Sequence, residues 1–433
     1  MAKVTAGDQV SERLTDHEMK QMTIGPAITT VTFCRGDINA VTVVLKERLL
    51  SIVQANPWLA GRLVKEGGKL FNRFPKAVTS VEECWNPSTR GGKTLPIPVV
   101  DSTMDYFTVC QVLGGSAAEI MKGSSCIGKD CLLFALSIVP DAKRPSDTFA
   151  LVISGSHVII DGFTYYKLLS MLCDGAEIKA MNPVRKHEIM EQSKQAMGEK
   201  ESAFANGGGV LCNVLGGLMC GSKPLIESFY VDKEKVNALK AQKGNGVDFV
   251  STNDVLTSQF GNATNADFLL MPLNFREKLP LFTTDDAGNY EGALVFLKED
   301  YADASLIRKS LQSGPPRYLR GGSATPGALP GCCKACKGRM AMVTNWTFPF
   351  FSELKIEGCQ QMLHLPLCDV KMVPFEVGVV YRPRAGEIAV TFFVRSLDRD
   401  TILKTMPMEK LVPSAEECLA NAQAATGANG NDK

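Results

Sequence analysis

An α/β fold in two domains is predicted by three features of this sequence. The chain has 433 residues, more than one ordinary hydrophobic core serves, so two domains are expected, each able to bury well over half its surface. Strand-like apolar runs alternate with segments of helical spacing in both halves. The stretch Phe149 to Leu172 joins the two patterns. Its opening run, FALVIS, is apolar and β-branched, is bounded by Gly155, and suits a strand buried on both faces. Beyond it Phe163, Tyr166, Leu169, Leu172 and Cys173 recur every three or four positions, which lays one face of a helix on the sheet.

In chain order, residues 1 to 22 look polar and helical, and Thr29 to Phe33 is the first expected strand. Asp37 caps a helix whose apolar positions Val41, Val44, Leu45, Leu49, Ile52 and Val53 precede a stop at Pro57. Pro57 to Val64 leads into a strand, where Arg62 is either a surface charge or the partner of a buried carboxylate. Phe107 to Leu113 and Cys131 to Val139 are read as strands, and residues 1 to 178 form the first domain. Residues 179 to 225 are read as a crossover. Within it FANGGGVLCNVLGGLMCG is nearly uncharged, but its glycines and asparagines make a poor membrane span, and a mobile cover over a substrate pocket is expected.

The second domain, 226 to 424, has its own alternation. Glu227 to Val231 is a strand, Lys233 to Lys243 a helix, and Ser251 or Asn253 caps another helix to about Phe260. Asp267 to Leu273, Ala293 to Leu297 and Met340 to Asn345 are strands, and Val377 to Tyr381 pairs with Ile388 to Arg395 across Pro383 to Gly386. Gly314 to Lys337 is read as a loop. Its Cys332, Cys333 and Cys336 lack further metal ligands nearby, so no metal site is expected. Residues 425 to 433 are expected to be a disordered tail.

Composition removes several function classes. With 47 basic and 46 acidic side chains the net charge is +1, which argues against nucleic acid or an acidic membrane as the main partner. The N-terminus carries Asp8, Glu12 and Asp16 without an apolar core, unlike a secretory signal. A cytoplasmic monomer without stable membrane insertion is expected. The 14 cysteines are scattered and are read as reduced thiols.

The chemistry is sought at His157, which ends the apolar strand and stands four residues before Asp161-Gly162. Histidine titrates near neutrality and serves as a general base when neutral, although a satisfied core histidine at a strand end is the plain alternative. Asp161 lies too far along the turn to be a second base, and a buried carboxylate needs a partner, so a structural role is expected. Gly162 is expected to allow a sharp turn that a Cβ would obstruct.

The pattern H-x-x-x-D-G resembles the signature of BAHD-type acyl-CoA-dependent acyltransferases, within the chloramphenicol acetyltransferase-like superfamily. Further stretches resemble that family in the same order. They are Asn56-Pro-Trp-Leu-Ala-Gly-Arg-Leu63, Ser251-Thr-Asn-Asp-Val-Leu-Thr-Ser258, Asn274-Phe-Arg-Glu-Lys-Leu-Pro280 with Gly288-Asn289, and Thr344-Asn-Trp346 with Phe348-Pro349-Phe350. The resemblance implies two sandwich domains, each a mixed sheet with flanking helices, and an active site in a channel between them. It implies transfer of an acyl group from acyl-CoA, a co-substrate rather than a tightly bound cofactor, to a small-molecule acceptor of specialised-metabolite or lipophilic kind, an alcohol before an amine, so that O-acylation is expected.

His157 is the implied base, with Thr344 and Trp346 as donors to the thioester oxyanion, although a strand threonine and a core tryptophan are the ordinary alternatives. Arg276 is the implied ion-pair partner of Asp161. Ser251, Thr252, Lys240 and Lys243 are candidates for CoA contact, the lysines being otherwise solvated. One departure is plain: Lys355-Ile-Glu-Gly-Cys359 stands where plant members carry D-F-G-W-G. Two other classes share the pattern. A peptide-synthetase condensation domain usually has a second histidine where this chain has Ser156, and a non-catalytic binding protein would not need His157, Thr344 and Trp346 together.

Overall fold

Strands Ile28–Gly36, Phe134–Pro140 and Thr148–Gly155 are near-continuous runs of apolar and β-branched residues, and all three are buried along most of their length. In this computed structural model, which describes residues 8–428 apart from 91–92, 97, 243 and 245, they form one antiparallel sheet with Thr148–Gly155 between the other two. A fourth strand, Cys359–Leu367, comes from far along the chain and pairs with Ile28–Gly36. The division at residue 226 does not anticipate this. Seven of the strand's nine residues are buried, and on the sheet edge they cover the apolar strand beside them.

The second sheet has seven strands. Their order is Glu291–Phe296, Phe268–Asn274, Met340–Asn345, Glu376–Tyr381, Ala389–Val394, Leu225–Val231 and Met408–Leu411. Met340–Asn345 runs parallel to both its neighbours and the remaining pairs are antiparallel, so the sheet is mixed. Helix Thr252–Thr264 buries Val255, Leu256 and Phe260 in the core that this sheet shares. Its start is set by a capping box between Ser251 and Asp254.

Several segments differ from the sequence reading. Tyr106–Leu113 is a helix rather than a strand, because Asp105 caps it and Tyr106, Val109, Cys110 and Leu113 share a buried face at helical spacing. The N-terminal segment contains a strand, Gln9–Arg13, and a short helical turn, Glu18–Met22, in place of one polar helix. Within 179–225 there are three helices, Ile189–Met197, Glu199–Ala205 and Gly208–Cys220. The last packs on Pro374 and on helix Cys332–Lys337, an element inside what the sequence suggested was a loop.

Among the described residues no helix is long and apolar enough to cross a membrane. The final helix, Ala415–Ala428, runs into the segment expected to be a disordered tail, and residues 429–433 lie outside the described residues.

Candidate active site

The turn after Thr148–Gly155 is built to hold one residue at the rim. Ser156 donates its backbone N–H to Leu133 O at 2.8 Å and accepts from Ile159 N at 2.9 Å, which closes a tight loop. Val158, Ile159 and Ile160 are fully buried and anchor it, whereas the His157 side chain is 24% open. The glycine that the turn requires is Gly155, where a Cβ would stand 2.2 Å from Cδ1 of buried Ile160. Gly162 is not needed for that purpose: it is the first residue of helix Gly162–Ser170, and a Cβ there would meet only the Phe348 ring at an ordinary 3.7 Å.

The His157 ring is oriented by Asn289. Nδ2 of Asn289 donates to His157 O at 2.8 Å and to Glu18 Oε1 at 3.2 Å, so its Oδ1 is the atom 2.9 Å from His157 Nδ1. An amide oxygen only accepts, hence Nδ1 carries the proton of the neutral ring and Nε2 is left as the basic nitrogen. Glu18 is in turn fixed by Arg185, whose Nε donates to both carboxylate oxygens at 3.0 and 3.1 Å, both side chains being buried. Arg185 also donates to Ile159 O and Ala287 O at 3.0 Å each, tying the histidine turn to the Gly288-Asn289 segment. Gly288 adopts φ +132°, and a Cβ would lie 3.1 Å from the Arg185 guanidinium carbon.

Asp161 and Arg276 form the second brace. Arg276 Nη1 donates to Asp161 Oδ2 at 2.6 Å, with the two side chains 0% and 2% exposed respectively. Asp161 also caps helix Gly162–Ser170 by accepting from Thr164 N at 2.9 Å, and it accepts from Tyr290 N at 3.1 Å. Arg276 spends its remaining N–H groups on Asn274 Oδ1, Thr164 Oγ1, Gly288 O and Asp286 O. Burial pushes the Asp161 carboxyl up, but the Arg276 charge and these hydrogen bonds outweigh it and hold it below the usual aspartate value.

The second half of the chain closes on the same helix. Trp346 lies 6.1 Å from the Tyr166 ring, and Phe348 and Phe350 lie 5.9 and 5.2 Å from Phe163. Thr344 is half-buried in strand Met340–Asn345, opposite Val379. Glu291 opens strand Glu291–Phe296 and brings Oε1 to 3.9 Å from His157 Nε2. Burial raises its carboxyl, partly offset by attraction from His157 and Arg276 and reinforced by repulsion from Asp161.

The other expected contacts lie on different elements. Ser251 uses its hydroxyl oxygen to cap helix Thr252–Thr264, and Thr252 is half-buried beside it. Lys240 is half-buried on helix Lys233–Ala241, and Lys243 falls outside the described residues. Arg62 pairs with Glu83 and Asp130, both well exposed, so it is a surface charge. Sequence reasoning passed over Glu18, Arg185 and Glu291. Arg185 gives no motif signal, whereas Asn289 lay inside a recognised segment and only its role was missing.

No protein-family model and no curated protein sequence matches the chain. Solved structures share its architecture. TRI101 of F. graminearum, complexed with ethyl coenzyme A, matches at a TM-score of 0.59 and 12% identity over 92% of this chain and 98% of that one. Vinorine synthase matches at 0.55 and 12% identity over 96% and 95%. The first condensation domain of the calcium-dependent antibiotic synthetase matches at 0.55 and 13% identity over 93% and 99%. At such identities the likeness defines the fold. The chain is an α/β protein that shares the fold of these three structures, with His157 of the first half held by Asn289 of the second.

Proposed function

We propose that the protein is a BAHD-type acyltransferase that moves an acyl group from acyl-CoA to a hydroxyl or amine of a small-molecule acceptor, with His157 as general base. The observation that carries this reading is the contact that orients the imidazole. Its Nδ1 lies 2.9 Å from Asn289 Oδ1, which leaves Nε2 as the basic nitrogen of the neutral ring, on a side chain that is 24% open. TRI101 is known in complexes with coenzyme A together with T-2 mycotoxin or deoxynivalenol, a pairing of CoA with a small-molecule acceptor on the same fold.

An acceptor is a weak nucleophile until a base takes its proton, and a positioned imidazole contributes about 10²- to 10⁴-fold. As the acceptor attacks the thioester carbonyl, negative charge develops on the carbonyl oxygen. Thr344 and the Trp346 indole N–H are its donors in this reading, and the packing of Trp346 against Tyr166, on the helix that follows the histidine turn, supports their nearness. Collapse expels the CoA thiolate, which takes the proton from His157. No acyl-enzyme is needed. Thr252, Lys240 and Lys243, with the O–H that the cap leaves to Ser251, are assigned to the pantetheine arm and phosphates of CoA.

The test is thiol release from acetyl-CoA and longer acyl-CoAs in the presence of an acceptor extract, with acylated products found by mass. His157→Ala is expected to abolish both signals. Unchanged thiol release in that variant would overturn the assignment.

A further inference from the structure

Glu291 is a charged side chain at the site that acyl transfer through His157 leaves unused. Its carboxylate stands 3.9 Å from Nε2, the nitrogen that meets the acceptor, and 23% of the side chain is open. The nearby arginines are committed elsewhere: Arg276 to Asp161, Asn274, Thr164 and two carbonyls, and Arg185 to Glu18 and three carbonyls. Asp161 adds negative charge from the adjacent helix cap, and its partner Arg276 adds a positive one. Among the described residues, the only basic side chain within 4 Å of the Glu291 carboxylate is His157, which as a neutral ring brings it no charge. A half-enclosed carboxylate in that position has no arginine or lysine within ion-pair distance among the described residues, and Arg276 acts on it only from farther away.

Resting on the acyltransferase reading, we propose that Glu291 receives a cationic amine, so that the acceptor is a primary or secondary ammonium and the product an amide. The proton count favours this class. A neutral alcohol surrenders one proton on acylation and needs one base. An ammonium surrenders two, because its lone pair is tied up in an N–H bond until the first is removed, and this site presents two bases 3.9 Å apart.

In the first step the Glu291 carboxylate takes a proton from R–NH₃⁺, and the N–H electron pair returns to nitrogen. The freed amine attacks the thioester carbonyl, forming the N–C bond as the carbonyl π pair moves to oxygen, and His157 Nε2 accepts the second proton. The oxyanion then re-forms C=O, the C–S bond breaks, and the thiolate leaves as HS–CoA with the proton from His157. Glu291 returns its proton to solvent. The sum is R–NH₃⁺ plus acyl-CoA giving amide, HS–CoA and H⁺. Burial, which raises the Glu291 carboxyl above the ordinary glutamate value, makes it a better acceptor for an ammonium proton than an exposed carboxylate would be.

The test uses matched acceptors that differ only at the nucleophile, phenethylamine against 2-phenylethanol and tryptamine against tryptophol. Each is offered with acetyl-CoA to the full-length protein, with thiol release as the signal. The wild type is expected to favour the amine of each pair. In Glu291→Gln the amine-to-alcohol ratio of kcat/KM is expected to fall about 10²-fold, in line with loss of one acid-base group, and Glu291→Asp is expected to recover part of it. Thermal unfolding of both variants checks that they remain folded. A wild type that favours the alcohols, or a ratio that Glu291→Gln leaves unmoved, would overturn the inference. His157→Ala separates the two ideas. If that variant is inert while the ratio does not move in Glu291→Gln, only the amine assignment fails; if it still turns over both acceptors, His157 is not the base; and a wild type that releases thiol with neither acceptor overturns the acyltransferase reading.

Discussion

Two histidines flank the same sheet and have opposite lives. His364, in the middle of strand Cys359–Leu367, is 1% exposed and satisfied on both sides, Nδ1 lying 2.8 Å from Thr32 Oγ1 and Nε2 3.2 Å from Tyr166 Oη. Burial pushes it down to about 3. His157 follows strand Thr148–Gly155, has one nitrogen held by Asn289 and the other 3.9 Å from Glu291, on a side chain that is 24% open. Residue type and proximity to a sheet do not distinguish the two. The difference is whether the second ring nitrogen is already occupied, since an imidazole with no free lone pair cannot accept a proton from a substrate.

The comparison is sharpest under paired substitution. His157→Gln should lower kcat by about 10²- to 10⁴-fold with little change in melting temperature. His364→Gln should do the reverse, costing stability and leaving kcat within a few-fold. Calorimetry and steady-state kinetics on both variants would check this, and loss of activity equal to that of His157→Gln in a folded His364→Gln would break it.

The brace beneath His157 carries the next effect. Removing one partner of a buried ion pair leaves the other charge unpaired, at about 3–5 kcal/mol. Asp161→Asn strands Arg276, whose side chain is fully buried, and also weakens the cap of helix Gly162–Ser170. A fall of that size in unfolding free energy by denaturant titration is expected alongside the loss of activity. Unchanged stability with vanished activity would make Asp161 a chemical group instead.

What was legible in the sequence followed local rules. The strand and helix around His157 were readable because a run of β-branched residues and a three-to-four spacing each fit the observed element, and Asp37 was readable as a cap, with Ser251 as one of two candidates for the other, because capping is a contact within one turn. Tyr106–Leu113 was misread because an eight-residue apolar run fits either element, and only the Asp105 cap decided it. The strand Cys359–Leu367 went unseen because its partner, Ile28–Gly36, is more than 300 positions away and nothing local records the pairing. The same holds for the Arg185–Glu18–Asn289–His157 chain, assembled from four separate segments. Long-range polar networks leave no periodicity.

Acidity probes His364 in a way that does not depend on activity. Its folded pKa is depressed to about 3, below the ordinary 6.5, so the unfolded chain binds the extra proton between those values and stability falls as pH drops below 6.5. The contribution is about 1.4 kcal/mol per pH unit, one proton's worth. It is distinct from the Asp161 contribution, which is present above the ordinary carboxyl pKa and is lost only when the pH falls below it. Unfolding free energy measured from pH 7 to 5 should therefore slope more steeply in the wild type than in His364→Gln. Equal slopes would mean that His364 is charged in the folded protein.

The smallest effect tests the tautomer itself. Asn289→Ala removes the acceptor for the Nδ1 proton of His157, a hydrogen bond worth about 0.5–1.5 kcal/mol, so kcat should fall roughly 2- to 13-fold with the KM for acyl-CoA little changed. The mirror substitution is Thr32→Val, which frees Nδ1 of His364 and costs a similar amount in stability alone. Nitrogen chemical shifts of the two imidazoles make the distinction directly. His157 should pass from a single Nδ1–H form to a mixture in Asn289→Ala, and activity should follow that mixture. If the His157 tautomer stays fixed in Asn289→Ala, the ring is held by packing rather than by the amide, and the role given to Asn289 is wrong.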